Sequence, residues 1–312
     1  MAIVQNPLDL MMDAYHNGYA IGAFNVNNME ISQAIVAAHA AKNAPLILQL
    51  SSGARKYANT KMLMDIIHSL EEQYPNLPII VHQDHGADLE TCISAIDAGF
   101  NSVMIDASAE PLDENIRITK EVVEYAHARN VIVEGELGQL GGIEEHVSVD
   151  EKDAHLTNPD EAVQFIDETG ADTLACAIGT SHGAFKFSSD GKVDIDLVKK
   201  LTEVLPGLPL VMHGSSSVPQ EYVELCNKYG GDLAGARGVD ETTISEAVKH
   251  GVSKVNIDTD LRLVMTAMIR KVFIEEPKAF DPRKYLGPAR DEIQRMVEHK
   301  IDVLGSANKI RG

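Results

Sequence analysis

Short apolar runs that end in polar residues recur along the chain about every 25 to 45 residues, with helix-like stretches between them. The runs lie at 19–25, 45–51, 78–85, 102–106, 131–136, 173–179, 209–213 and 254–258. Helical periodicity fills the intervals, as in ISQAIVAAHAAKN after the first run and TCISAIDAG after the third. AGFNSVMI, TGADTLACA and HGVSKVNI each read as a helix end, a glycine suited to a left-handed cap, a short polar link and a strand. No tight Asn-Gly or Asp-Gly turn separates neighbouring runs, which disfavours antiparallel pairing. Eight β-then-α units without an evident linker predict an α/β fold, a (β/α)8 TIM barrel. A doubly wound open sheet is the alternative. It would normally carry a glycine-rich phosphate turn after its first strand, where this chain has GAFNVNN.

The expected organisation is one barrel domain over residues 1–312. A helix at about 7–18 caps the barrel bottom, and 276–312 forms a C-terminal helical extension suited to an oligomer contact. The connection at 137–157 is glycine-bearing, acidic and poor in helix signals; a loop that long in a compact barrel is usually functional or mobile. Forty-seven acidic residues against 27 Lys and Arg give a formal charge of −20, which argues against nucleic-acid or anionic-membrane partners. Any anionic ligand must therefore be held by local donors against the global field. No apolar run approaches the roughly 18 residues that a membrane span needs. The segment MAIVQNPLDLMMDAY does not read as a signal peptide. Cys92, Cys176 and Cys226 are widely spaced among core-like residues, as expected of buried thiols in a reducing cytoplasm.

In such a barrel the chemistry sits at the C-terminal ends of the strands. Those positions read Asn25, Ser51, Asp84 with His85, Asp106, Glu136, His182, His213, and Asn256 with Asp258. Every one can bind a metal or exchange hydrogen bonds. Of the twelve histidines, His16, His39, His68, His127, His250 and His299 fall in helical stretches and read as surface or packing residues. His146 and His155 lie in the long loop, and His82 shares a strand face with Asp84, which suits packing or support. His85, His182 and His213 remain. Three imidazoles with open coordination make a catalytic zinc arrangement, and three structural histidines at strand ends are the alternative.

The glycines in SHGAFK and HGSSS let backbone N–H groups approach an anion, and the serine run adds hydroxyl donors. NIDTDLR places Asp258 and Thr259 at a helix start, which favours phosphate, with Lys186 and Arg262 as local cations. Loops after the seventh and eighth strands are the usual phosphate site of barrels.

The ordered series GAFNVNN, LQLS, HQDHG, SVMIDAS, EGELGQLGG, GTSHG, HGSSSVP and NIDTD resembles class II, metal-dependent fructose-1,6-bisphosphate aldolases, from about residue 8 into the tail. The resemblance implies a (β/α)8 barrel that cleaves fructose 1,6-bisphosphate reversibly to dihydroxyacetone phosphate and glyceraldehyde 3-phosphate. It implies Zn²⁺ on His85, His182 and His213, with Glu136 as a further ligand; Asp106 joins the metal candidates from its strand end. Asp84 becomes the acid/base at the hydroxyl beside the breaking bond, and Glu144 handles the proton on the dihydroxyacetone phosphate carbon. Gly183, Lys186, Gly214, Ser216, Asn256 and Thr259 hold one phosphate and its ketose. Ser51 and Arg262 grip the rest, with Asn25 and Asp258 beside the substrate. A monovalent cation, Na⁺ or K⁺, near the phosphate is also implied, as is Asp281 reaching a neighbouring subunit's site in a homodimer or homotetramer. The chain departs from the family in GGIEE, since many relatives place consecutive acids directly after GG.

The chemistry asks for the same parts. Aldol cleavage leaves a carbanion beside a carbonyl, and a Lewis-acid metal can delocalise its charge as an enediolate. The alternative is a lysine Schiff base, for which the nearest candidate, Lys254, lies early in its strand. Tagatose-bisphosphate aldolases share the histidines but usually lack an acid at the Asp258 position. A zinc hydrolase would show His-x-His after the first strand, where this chain has Asn25-Val26-Asn27. A non-catalytic sugar-phosphate-binding protein would need neither Asp84 nor the loop acids.

Overall fold

Eight parallel strands close on themselves to form a barrel. The computed structural model describes residues 2–144, 147–149, 154–181 and 193–310, the stretches 142–144 and 147–149 by their backbone only. The barrel strands are β1 (Ile21–Asn25), β2 (Leu46–Ser51), β3 (Ile79–Gly86), β4 (Ser102–Ile105), β5 (Ile132–Leu137), β8 (Thr173–Cys176), β9 (Leu210–Met212) and β10 (Val252–Ile257). Their hydrogen-bonded order is β1-β10-β9-β8-β5-β4-β3-β2, and β1 closes the ring by pairing with β2. All eight predicted runs became strands. The sixth and seventh stop short of Gly179 and His213, whose residues turn out of the sheet into the site loops. Two further strands, β6 (Gly142–Glu144) and β7 (Val147–Val149), pair antiparallel inside the connection read from the sequence as loop.

The helices before, between and after the strands are α1 (Pro7–Asn17), α2 (Met29–Lys42), α3 (Ser52–Ala58), α4 (Thr60–Gln73), α5 (Leu89–Asp97) and α6 (Leu112–His127). They continue with α7 (Pro159–Thr169), α8 (Ile195–Val204), α9 (Gln220–Lys228), α10 (Glu241–Lys249), α11 (Thr259–Glu275) and α12 (Pro282–Val303). Several begin directly at a strand exit, where a side chain satisfies the first orphan N–H groups. Asn28 accepts from Ile31 N at 2.9 Å, and Asp88 from Thr91 N at 2.7 Å.

Alternation along the strands separates two cores. Leu46, Leu48, Leu50, Val81, Val133 and Val255 point outward into the shell of helices. Ile21, Ala23, Ile47, Ile80 and Ile132 point inward at the strand starts, where Met11, Ala14 and Tyr19 cover them, so α1 plugs the barrel bottom as expected. Each fully buried aliphatic side chain contributes about 1.5–3 kcal/mol relative to exposure. The tail folds back as α12 onto α2 and α11, burying Ala289, Ile293, Met296, Val297 and Ile301. Cys92, Cys176 and Cys226 are all buried thiols, and burial pushes Cys92 up to about 12.

His39, on α2, packs edge-on against Phe24 with ring centroids 5.5 Å apart, and neither ring nitrogen has a hydrogen-bond partner among the described residues. Burial lowers its pKa to about 3. The folded chain keeps this ring neutral while the unfolded chain protonates it below about 6.5, so stability present above that pH is lost as pH falls toward 3. Replacing His39 by Leu should shrink the stability lost between pH 7 and pH 5 by about 2 kcal/mol. Urea unfolding of both proteins at the two pH values measures it; an unchanged loss refutes this source of acid sensitivity.

Candidate active site

Strict alternation would send adjacent Asp84 and His85 to opposite faces of β3. The strand breaks its own rule there. His85 adopts φ 44°, in the left-handed region, and the pairing with β4 slips between Gln83 and Gly86. Such a conformation costs a non-glycine residue about 1–3 kcal/mol and persists only where the surroundings enforce it. The neighbouring Gly86 is required by closeness, since a Cβ there would lie 2.5 Å from the Met104 carbonyl oxygen. Asp84 and His85 thereby both face the site and are both about 1 % exposed.

The His85 ring has two committed edges. Nδ1 lies 2.9 Å from Asp106 Oδ2, and Nε2 lies 3.0 Å from His213 Nδ1. The other nitrogen of His213, Nε2, lies 2.7 Å from Glu134 Oε1. Burial opposes ionisation of Asp106, but the His85 and Ser108 hydrogen bonds hold its pKa below the usual carboxylate range. Burial likewise opposes ionisation of Glu134, yet Lys254 and His213 hold it low. Ionised carboxylates only accept, so each must receive an N–H. That assignment leaves His85 Nε2 and His213 Nδ1 as lone pairs facing one another. Burial lowers the pKa of His213, which keeps its imidazole neutral. Two converging lone pairs repel unless a cation stands between them. The oxygen of Asp84 lies 4.0 Å from His85 Nε2, and the ligating atoms of Asp84, His85 and His213 all fall within 4.8 Å of one another. A nitrogen and carboxylate donor set of this kind suits zinc. Asp106 and Glu136 gather at the opposite, Nδ1 edge of His85, with Glu136 4.0 Å away. In this arrangement Asp106, which also accepts from Ser108, orients the ring.

Beneath the histidines lies a polar layer of which the sequence reading gave only His82 a packing or supporting role. Lys254 donates to Glu134 at 2.7 Å and lies 3.3 Å from His82, while His82 Nδ1 meets Ser102 Oγ at 2.7 Å. All are nearly inaccessible. Lys254, read as lying well below the site, is thus one carboxylate away from His213. Parity was the available signal, because Glu134 and Glu136 share one strand face and Lys254 and Asn256 another. Above this layer Asn25 donates to Asp84 at 2.7 Å and is itself held by Gln49 at 2.5 Å. Asn256 donates to Asp84 at 3.2 Å and touches the His213 ring. Asp84 is therefore oriented by two amides.

Two anion-friendly regions flank this centre. Gly214, at φ 59°, lies so close to Ser181 that a Cβ would stand 2.6 Å from its carbonyl oxygen. Ser216 Oγ accepts from Asp258 N at 3.3 Å, and α11 starts at Thr259 without a cap from the Asp258 side chain. Arg262 instead pairs with Asp258 one turn along. On the other side, a cavity of about 360 Å³ is lined by Asn25, Asn28, Ser51, Gly53, Tyr57 and Arg262, between the starts of α2 and α3.

His182, Gly183 and Lys186 fall outside the described residues, and Glu144 is described only as backbone in β6. Asp281 caps α12 through Arg283 N and pairs with the Arg283 guanidinium; no hydrogen bond or ion pair among the described residues joins it to the cluster. Of the helical histidines, His68, His127 and His299 each pair with a carboxylate away from the site.

The family described as "Fructose-bisphosphate aldolase class-II" matches residues 5–309. The chain is 52 % identical to the fructose-bisphosphate aldolase of Giardia intestinalis over 300 residues, covering 96 % of this chain and 92 % of the relative. Identity to that of Thermus caldophilus is 47 %, over 97 % of this chain and 98 % of the relative. Among solved structures, the YdjI aldolase from Escherichia coli K12 superposes with a TM-score of 0.79 at 28 % identity, covering 98 % of this chain and 99 % of its own.

If Glu134 sets the tautomer of His213, Glu134→Gln should weaken zinc binding by about 10–100-fold, the usual cost of losing a partner behind a metal ligand. Competition with a chromophoric chelator measures this, and a dissociation constant within about twofold of the parent would remove Glu134 from the metal site.

Proposed function

The chain belongs to the class II fructose-bisphosphate aldolase family, and from that premise we propose that it cleaves fructose 1,6-bisphosphate reversibly to dihydroxyacetone phosphate and glyceraldehyde 3-phosphate. The observation that carries the reading is the convergence of His85 Nε2 and His213 Nδ1, with tautomers set by Asp106 and Glu134, beside the carboxylate of Asp84. His85, His213 and His182 are the proposed zinc ligands; Glu136, which rests at the Nδ1 edge of His85, becomes a further one by turning toward the Nε2 edge. When bound, the divalent metal supplies Lewis acidity to the substrate's carbonyl and adjacent hydroxyl oxygens.

The protein's own groups do the rest. Asp84, steadied by Asn25 and Asn256, takes the proton from the C4 hydroxyl as the C3–C4 bond breaks and its electron pair moves toward the C2 carbonyl. Glu144 returns a proton to C3. Gly183, Lys186, Gly214, Ser216, Asn256 and Thr259 hold the phosphate and the ketose of the dihydroxyacetone half, with a monovalent cation, Na⁺ or K⁺, beside the phosphate. Ser51 and Arg262 bind the far phosphate, in the cavity between the starts of α2 and α3. Asp258 stands near C4 and favours the fructose over the tagatose epimer. Lys254 is spent on Glu134 and His82, which argues against a Schiff base.

No helix among the described residues is long and apolar enough to cross a membrane. Cytoplasmic placement fits the three buried thiols. A homodimer or homotetramer is supported by the apolar surface at the α11–α12 junction, where Phe280 is 90 % and Ile274 63 % exposed. In that assembly Asp281 reaches the partner's site.

A coupled assay should show cleavage of fructose 1,6-bisphosphate, slower cleavage of tagatose 1,6-bisphosphate, loss of both with a chelator, and recovery with zinc. Activity that persists without metal, with substrate trapped by borohydride, would overturn the mechanism. Asp84→Ala should lower kcat by about 10²–10⁴-fold with zinc retained; near-normal turnover assigns the proton to another group.

A further inference from the structure

The loop after β9 is tied down by a buried ionic cluster that reaches it from the far end of the chain. Lys300, near the end of α12, is 2 % exposed, and Asp260, in the first turn of α11, is 0 % exposed. The Lys300 ammonium lies 2.9 Å from Asp260 Oδ2 and 2.6 Å from Glu241 Oε1, and it donates to Ser217 Oγ at 2.5 Å. Asp260 in turn accepts from two consecutive loop amides, Ser217 N at 3.1 Å and Val218 N at 2.8 Å.

That double acceptance shapes the loop. Val218 sits at φ 49°, a region that β-branched residues rarely occupy, and its side chain is buried. The residue before this anchored pair is Ser216, whose hydroxyl meets Asp258 N at the start of α11 and whose carbonyl accepts from Val239 N at 3.1 Å. Gly238 presses on the same point, since a Cβ there would lie 2.1 Å from the Ser216 carbonyl oxygen. The segment from Gly214 to Val218 is thus clamped from below by Asp260, and Asp260 is held by Lys300.

We infer that Lys300 is a positioning residue for the phosphate end of the site: through Asp260 and Ser217 it holds the 214–218 loop against the start of α11. The inference rests on the proposal that Gly214, Ser216 and Thr259 bind phosphate. A neutral side chain at 300 leaves the Asp260 carboxylate buried beside Glu241 without its counter-charge. The carboxylate must then move or take up a proton. Either change frees the two loop amides and lets Val218 leave its strained conformation. The metal centre hangs from other contacts, so the loss should fall on phosphate binding.

The test is Lys300→Met in the full-length, zinc-loaded enzyme, with folding checked by circular dichroism and zinc content measured. Titration with inorganic phosphate by calorimetry should show about tenfold weaker binding, the size expected for coupling within a buried network. KM for fructose 1,6-bisphosphate should rise by a similar factor while kcat stays within about threefold. Ser216→Ala serves as the control for the phosphate site itself. Weakened phosphate binding in Ser216→Ala but not in Lys300→Met overturns the role of Lys300. Unchanged binding in both overturns the phosphate reading on which it rests. Should Lys300→Met not fold, Ser217→Ala removes the neutral one of the three Lys300 acceptors without stranding a charge. It should weaken phosphate binding by about threefold, and an unchanged constant overturns the inference.

Discussion

Two buried carboxylates, each accepting one imidazole N–H, are the constraint on which the site depends. Asp106 takes the proton side of His85 and Glu134 that of His213, so the two remaining lone pairs point at each other across 3.0 Å. Without those acids either ring could turn or change tautomer, and the site would not prefer a cation over a hydrogen bond. The acids need their own support in an apolar interior. Lys254 holds Glu134 ionised against burial, while Asp106 relies on Ser108 and His85 itself. The cost of burying Lys254 and Glu134 together is offset because each satisfies the other and a histidine besides.

This requirement explains departures from regularity elsewhere. A flat β3 could present Asp84 or His85 to the barrel axis, but not both. The left-handed turn at His85 and the slipped register with β4 deliver both, and Gly86 lets the strand approach the Met104 carbonyl. Function thus sits where local geometry is least regular, at a strand end, while the apolar floor of Ile21, Ile47, Ile80 and Ile132 keeps the pattern that local rules demand.

The parts readable in the sequence are those governed by local periodicity. Eight runs with helical intervals led directly to the barrel, and strand-end positions picked out Asp84, His85, His213 and Asn256, which the structure brings together. The parts not readable depend on partners far apart in number. The joining of Glu134, Lys254 and His213 becomes visible only once β5, β9 and β10 face one interior. Asp260 and Lys300 are 40 residues apart along the chain, and no local pattern links them. The β6–β7 hairpin carries Glu144, and its three-residue strands are too short for an alternation signal.

The charge of the chain poses the remaining physical problem, since a protein of formal charge −20 must hold a doubly phosphorylated substrate. Two of the described cations near the phosphate loops are already engaged: Arg262 is paired with Asp258, and Lys300 with Asp260 and Glu241. Oriented backbone adds a second source of attraction. The starts of α2, α3 and α11 and the serine loop present N–H dipoles whose effect is confined to the first turn, so they attract an anion locally without altering the distant field. Such a site depends on shape more than on charge, because an amide turned away contributes nothing. Buried ion pairs that contribute little net attraction can still be decisive there, by holding the amides where a phosphate would meet them.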